Sequence, residues 1–305
     1  MKKISIIVPA YNEADNLEAF LEETSKYLNI ENYEFSILFI DDGSKDNTIE
    51  IIKKLREKDS RVKYISFSRN FGKEAAMQAG LEHSKDYDAC IMMDADLQHP
   101  PYLIPEMIKK HEEGYKIVYT RQSTRKGERK GKTFFAKAFY RVFNKYSDCR
   151  MESSTKDYQL LDKQVVEAFL SIKDNNRFVK GIFSWVGYKR CCLEFEYVER
   201  KIGKSKFNFK KLFKYGFNGL NQFSNILIVT PVIAAVCSFL VTIASIFLFV
   251  FKVINLPIFL LLLLISLMFV ATNIVLYFHM YLSYQIRRQV LNRPIYLVED
   301  MSDDI

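Results

Sequence analysis

Ala89-Cys90-Ile91-Met92-Met93-Asp94-Ala95-Asp96 is the stretch that decides the fold. Five apolar residues end abruptly on two carboxylates one residue apart. The pattern reads as a buried strand whose carboxyl end opens toward a ligand. In open α/β sheets, ligands bind in the crevice just outside the carboxyl ends of the strands. Carboxylate oxygens placed there suit Mg2+ or Mn2+, which take a few protein carboxylates and complete their shell with substrate phosphates and water. A bare Asp-x-Asp also fits a solvated acidic turn, because so short a motif is permissive. The flanking sequence decides between the two.

Upstream, strand and helix patterns alternate. Ile4 to Val8 is a β-branched run closed by Pro9, and Phe35 to Ile40 and Val62 to Phe67 are two more apolar strands. Between them lie helical patterns: one opened by Asp15 or Asn16 with Leu17, Phe20, Leu21 and Tyr27 inward, one opened by Asp46 or Asn47 with Ile49, Ile51, Ile52 and Leu55, and one from about Glu74 to His83. Such alternation predicts a mostly parallel, doubly wound α/β sheet with helices on both faces.

The chain has 305 residues, a net charge of +8 and a pI near 9.0. That balance suits an anionic partner such as a phosphorylated substrate, an anionic membrane face or nucleic acid. Its cysteines, Cys90, Cys149, Cys191, Cys192 and Cys237, are odd in number and lack CxxC spacing. This argues against a zinc site or a disulfide framework and favours a reducing compartment. The apolar part of the N-terminus is too short for a signal peptide and stops at Pro9.

Beyond the sheet the composition changes. Residues 121–132 form a basic loop with Arg121, Arg125, Lys126, Arg129, Lys130 and Lys132. Residues 134–143 and 207–223 mix aromatic residues and lysines in the way of helices lying in a headgroup plane. Residues 226–251 contain no charge, and residues 256–282 have only His279 as a titratable group besides tyrosine. Each is long enough to span a bilayer. Lysines and arginines crowd before the first stretch and after the second, which places both ends in the cytoplasm. The expected division is a catalytic domain over 1–200, an interfacial segment over 201–224, two spans within 225–283 and a cytoplasmic tail over 284–305.

Four strand ends carry polar groups: Tyr11 and Glu13, Asp41 and Asp42, Arg69 and Lys73, Asp94 and Asp96. In a parallel sheet they converge on one edge. Carboxylates there can accept from a base N–H and from ribose hydroxyls, while Arg69 and Lys73 can neutralise phosphates. Asp94 and Asp96 would hold a divalent ion against a departing diphosphate.

Val8-Pro9-Ala10-Tyr11-Asn12-Glu13, Asp41-Asp42-Gly43-Ser44-Lys45-Asp46, Ser68-Arg69-Asn70-Phe71-Gly72-Lys73-Glu74 and Asp94-Ala95-Asp96-Leu97-Gln98 occur in this order. As an ordered set they resemble glycosyltransferase family 2, of the GT-A fold. Arg177-Phe178-Val179-Lys180-Gly181 through Tyr188, and Arg200-Lys201-Ile202-Gly203-Lys204-Ser205-Lys206-Phe207, narrow the resemblance to polyprenyl-phosphate glycosyltransferases of the bactoprenol glucosyltransferase (GtrB) type, relatives of dolichol-phosphate mannose synthase. It extends over essentially the whole chain. The resemblance implies transfer of a sugar from a UDP-sugar to undecaprenyl phosphate at the cytoplasmic leaflet, with Mg2+ or Mn2+ as cofactor. It implies nucleotide-sugar contacts from Pro9, Tyr11, Glu13, Asp42, Arg69, Lys73 and Asp94, metal binding by Asp94 and Asp96, and acceptor-phosphate contacts from Arg121, Arg125, Arg200, Ser205 and Lys206. Asp157 matches the family's catalytic aspartate and joins Asp96 as a catalytic candidate; without the resemblance Asp157 reads as a helix N-cap before Leu160-Leu161.

Two departures stand out. Lys156 and Gln159 replace the family's Gly and Arg around Asp157, and Met280-Tyr281-Leu282-Ser283-Tyr284-Gln285 replaces its pattern at the end of the second span. Trp185 reads as core packing, Cys191-Cys192 as a buried strand pair, and His99 as a turn residue before Pro100-Pro101. The sugar is glucose first, with N-acetylglucosamine or galactose as alternatives, and a homo-oligomer is compatible with the sequence. A catalytically silent membrane scaffold that recruits a flippase or later transferase is the competing reading. Processive polysaccharide synthases usually carry Gln-x-x-Arg-Trp and more spans, neither of which is present. Nucleic acid is disfavoured because the basic residues neighbour membrane-seeking aromatics.

Overall fold

The computed structural model describes residues 1–122, 141, 143–145, 147, 155–173, 178–196, 257–291 and 293–305. These carry one eight-stranded sheet: β1 (Lys2–Ala10), β2 (Tyr33–Asp41), β3 (Val62–Phe67), β4 (Ala89–Met92), β5 (Ile117–Gln122), β6 (Thr155–Asp162), β7 (Arg190–Phe195) and β8 (Val298–Met301). The helices are α1 (Leu17–Ser25), α2 (Thr48–Lys58), α3 (Lys73–Glu82), α4 (Ile104–Glu112), α5 (Lys163–Ser171), α6 (Val179–Trp185) and α7 (Pro257–Leu291).

The strand order is β7-β5-β6-β4-β1-β2-β3-β8. The four strands legible in the sequence pair in parallel, β4 with β1, β1 with β2 and β2 with β3. The four others add antiparallel pairings of β6 with β4 and β5 and of β8 with β3, and a parallel pairing of β5 with β7, so four of the seven pairings are parallel and the sheet as a whole is mixed. Its layers are those of a GT-A-like domain, with helices on both faces.

Burial on both faces explains why the central strands read as unbroken apolar runs. Ile4, Ile6 and Val8 face one core with Leu17, Phe20, Ile52, Ile104 and Met107 of α1, α2 and α4. Ile7, Leu38, Ile40 and Met92 face the other, against α3, α5 and α6. Each such side chain contributes about 1.5–3 kcal/mol when fully buried. Helix α3 is buried from Ala75 to Leu81. It approaches β1 so closely that a Cβ at Gly80 would lie 2.2 Å from Ile7 Cγ2. Pro9 continues β1 rather than closing it. Pairing with β4 stops at Ile7–Met92, so the missing N–H of Pro9 falls beyond the end of that ladder.

Helix α7 runs 35 residues, about 52 Å at 1.5 Å per residue, and carries the second expected span. Leu261, Ile265, Tyr277, Met280 and Val290 are exposed along it. Counting only the described residues, no helix is long and apolar enough to cross a membrane. The first expected span and both expected interfacial segments lie outside the described residues, apart from 141 and 143. The tail is not a loose end: it returns to the sheet as β8. Trp185 is 55% exposed rather than core-packed, and Cys191 and Cys192 are on a strand as expected but only half-buried.

Candidate active site

The carboxyl end of β4 opens as the sequence suggested. Met93 N–H still donates to Ile7 O, at 3.0 Å, and the chain then turns through Asp94-Ala95-Asp96 with Leu97 in the left-handed region (φ 57°). His99 is not a surface turn residue. It is buried, and its Nδ1 accepts the Asp94 N–H at 2.9 Å, which leaves the proton of the neutral ring on Nε2, 3.8 Å from Asp94 Oδ2. Desolvation is the main force holding its pKa below the ordinary histidine value. The ring stacks on Tyr158 (centroids 5.2 Å apart, planes at 13°), whose hydroxyl donates to Pro100 O at 3.0 Å. Strand β6 thus braces the turn from one face.

Its next residue, Asp157, points to the opposite face, as strand alternation requires. There it meets Lys73, the first residue of α3. Lys73 Nζ lies 2.6 Å from Asp94 Oδ1 and 2.7 Å from Asp157 Oδ2, and Lys180 of α6 lies 3.3 Å from Asp157 Oδ1. Burial works against charge on all three central groups. For Asp157 it is outweighed by Lys180 and Lys73, which hold the carboxyl far below the usual range. For Lys73 it is outweighed by Asp157 and Asp94, which raise the ammonium's pKa. Asp94 is likewise lowered, burial being outweighed by Lys73. Asp157 is therefore an ionised strand residue. The helix N-cap in this region is Asp162, whose side chain accepts from Gln164 N–H.

The other strand ends are tied together. Asn12 N–H donates to Ser44 Oγ and Glu13 N–H to Thr48 Oγ1, and Glu13 Oε2 accepts from Asn16. Tyr11 and Pro9 are half-buried at this rim. Asp41 and Asp42 are buried. Asp41 accepts from Ser44 N–H and Ser66 Oγ, and Asp42 from the N–H groups of Phe71 (2.6 Å) and Gly72 (2.9 Å). Burial pushes the Asp42 carboxyl up to about 6 against those bonds. Gly43 (φ 63°) permits this closeness, since a Cβ there would lie 2.4 Å from the Arg69 carbonyl carbon. Arg69 is exposed, with its guanidinium 4.0 Å above the Phe71 ring.

Lys73, expected on a phosphate, is thus found between two carboxylates. Arg121, expected in a basic loop, is a β5 residue paired with Glu194 of β7. Arg125, Arg200, Ser205 and Lys206 lie outside the described residues. The substituted Lys156 and Gln159 flank Asp157 on β6 and line a cleft with Lys180 and Arg190. Lys180, Tyr158 and the bracing role of His99 went unassigned from sequence. Lys180 stood in the Arg177–Tyr188 motif, but nothing local linked it to Asp157.

Asp96 is buried, and one of its oxygens accepts Gln98 N–H. Among the described residues no three His, Cys, Asp or Glu side chains converge as a metal cage. An Mg2+ or Mn2+ site completed by substrate oxygens needs only one or two carboxylates. The donors fit: all are oxygens, and Asp94 already holds a cation, the Lys73 ammonium, at 2.6 Å.

Residues 5–167 match the family described as Glycosyl transferase family 2. CsbB of Bacillus subtilis (strain 168), named as a glycosyltransferase, is 46% identical over 222 residues, which cover 73% of this chain and 67% of that protein. The prophage bactoprenol glucosyl transferase homolog of Escherichia coli (strain K12) is 40% identical over 222 residues, 73% of this chain and 72% of that one. Among solved structures, glucosyl-3-phosphoglycerate synthase from Mycobacterium tuberculosis with Mn2+, UDP-glucose and phosphoglyceric acid aligns over 72% of this chain and 79% of its own. Its identity is 16% and its TM-score 0.48, too distant a likeness to assign a ligand.

Proposed function

Because this chain belongs to glycosyl transferase family 2 and is a glycosyltransferase, we propose that it moves a sugar, glucose first, from a UDP-sugar to undecaprenyl phosphate at the cytoplasmic face of the plasma membrane. N-acetylglucosamine and galactose are the alternative sugars. The observation that carries this reading is the meeting of Asp94, Lys73 and Asp157, from three separate elements, outside the carboxyl end of β4. The prenyl-phosphate acceptor is supported by relatives named as bactoprenol glucosyl transferases.

In this reading Asp94 and Asp96 hold Mg2+ or Mn2+, which when bound supplies positive charge against the diphosphate oxygens. Arg69, just beyond the carboxyl end of β3 on the same edge of the sheet, adds charge on the donor side. The nucleophile is a phosphate oxygen of the lipid, already anionic at neutral pH, so the chain has to position it beside the anomeric carbon rather than deprotonate it. Asp157 fits that demand: paired with Lys73 and Lys180, whose charges favour its ionised form, it acts by orienting its neighbours. Lys73 bridges Asp94 and Asp157, and in this reading its charge also serves the donor phosphates.

Exposed apolar residues along α7 favour lipid over water as its surroundings. The return of the tail to the sheet keeps the C-terminal strand on the same side as the domain, and the crowding of lysine and arginine beside both stretches favours the cytoplasm for that side. Two spans within 225–283 satisfy both.

The test is UDP release by membranes carrying the full chain, with and without undecaprenyl phosphate, across a panel of UDP-sugars, with mass spectrometry of the lipid product. Asp96→Asn should abolish transfer while the chain still reaches the membrane. Full activity in that variant removes the metal role, and UDP release indifferent to the lipid removes the acceptor.

A further inference from the structure

Five residues beyond the end of α7, Tyr296 lays its ring on Phe67, with centroids 4.8 Å apart and planes at 19°. Its hydroxyl donates to Glu82 at the end of α3. Leu297 O accepts Ser68 N–H at 3.1 Å, and β8 then pairs with β3. Farther along, Asp300 holds Lys53 at 2.6 Å and Asp304 holds Arg56 at 2.7 Å, both on α2.

Phe67 meets Phe71 edge to face at 5.8 Å, and Phe71 lies beneath Arg69. The next N–H groups are fixed on Asp42, and Lys73 follows at once. Residues 68–72 are therefore held from two sides. Asp42 grips them from within the sheet, and the aromatic stack supports them from its edge. The stack is connected to α7 by a leash of only five residues, at most about 17 Å of extended chain.

We propose that Tyr296 and β8 are a positioning element that sets the 68–72 loop, and with it Arg69 and Lys73, from the end of α7. The inference rests on the reading of that loop as the donor-phosphate side of the site. Aromatic pairs of this geometry stabilise beyond their buried area, and a small misplacement of a substrate-contacting group has a large effect on its use. Tyr296 acts through Phe67 and Phe71 and does not touch the substrate.

The experiment compares the full chain in detergent micelles with Tyr296→Ala, Tyr296→Leu and Asp304→Ala. It reads UDP affinity in the presence of Mn2+ by calorimetry, and donor KM and kcat by UDP release. Tyr296→Ala should weaken UDP binding and raise donor KM by about fivefold or more, the usual scale of coupling between sites, with kcat within about twofold. Tyr296→Leu, which keeps bulk without a stacking ring, carries the same expectation should the alanine variant fail to fold. Asp304→Ala, which loosens the tail on Arg56 of α2 and Lys63 at the far end of β3 and leaves the Tyr296 stack in place, should lower thermal stability and leave UDP affinity unchanged. Unchanged UDP affinity in a folded Tyr296 variant overturns the proposal, as does equal weakening by Asp304→Ala. Failure of the unaltered chain to bind UDP overturns the donor-site reading and this proposal with it.

Discussion

Replacing Lys73 with methionine keeps the length of the side chain and removes its charge. Asp157 would retain Lys180 at 3.3 Å, so the loss falls mainly on Asp94, which keeps the neutral His99 ring at 3.8 Å. Breaking a fully buried ion pair by removing one partner costs about 3–5 kcal/mol. The side chains of Lys73, Asp94 and Asp157 are 30%, 31% and 22% exposed, and solvent screening reduces the figure to about 2–4 kcal/mol. Urea unfolding of the full chain, followed by circular dichroism, reads this directly. Mn2+ should then stabilise Lys73→Met more than the unaltered chain, because the carboxylates have lost their resident cation. At a hundredfold excess over Kd, binding to the folded state alone contributes about 2.7 kcal/mol. A variant within about 0.5 kcal/mol of the unaltered chain, or an equal Mn2+ gain in both, refutes the idea that Lys73 fills the cation position.

Asp162 accepts from His111 Nε2 (2.8 Å), Lys116 Nζ (3.0 Å) and Gln164 N–H (3.0 Å); burial works to raise its carboxyl, but these donors lower it. With a folded pKa below the unfolded one, its contribution is present above about pH 4 and disappears as the pH falls through the folded value. Asp162→Ala should therefore destabilise by about 2–4 kcal/mol at pH 7 and flatten the acid limb of the stability profile; parallel acid limbs in the two chains would contradict this. Gly80→Ala drives a methyl into Ile7 and should lower stability by about 1–3 kcal/mol, seen as a lower urea midpoint; an unchanged midpoint would mean that α3 can shift away from β1.

The first four strands were legible because two-faced burial writes itself as apolar runs, and their ends stood out as the places where polar residues return. The later strands were not, apart from the Cys191-Cys192 pair of β7. β7 reads Arg190-Cys191-Cys192-Leu193-Glu194-Phe195 and β8 reads Val298-Glu299-Asp300-Met301, both mixing charge with apolar residues as edge strands do. Asp94 was found where expected, since its place depends on one strand. The partnership of Lys73 with Asp157 depends on a fold that joins positions 84 apart, which no local pattern encodes. Asp41 and Asp42 show the same limit: no local pattern told that their oxygens accept from the loops at residues 44 and 71–72.

Strand β8 also imposes an order of events on biosynthesis. The exposed edge of β3 waits for a partner that lies roughly 230 residues later in the chain, a delay on the order of 10–50 s at ordinary elongation speeds. Throughout that interval a nascent domain presents bare N–H and C=O groups, the template on which sheets join edge to edge. The enzyme thus finishes its sheet only when the ribosome has read the codons for residues 298–301. A chain stopped shortly before them would keep the Asp94–Lys73–Asp157 cluster and yet leave an adhesive border open to its neighbours.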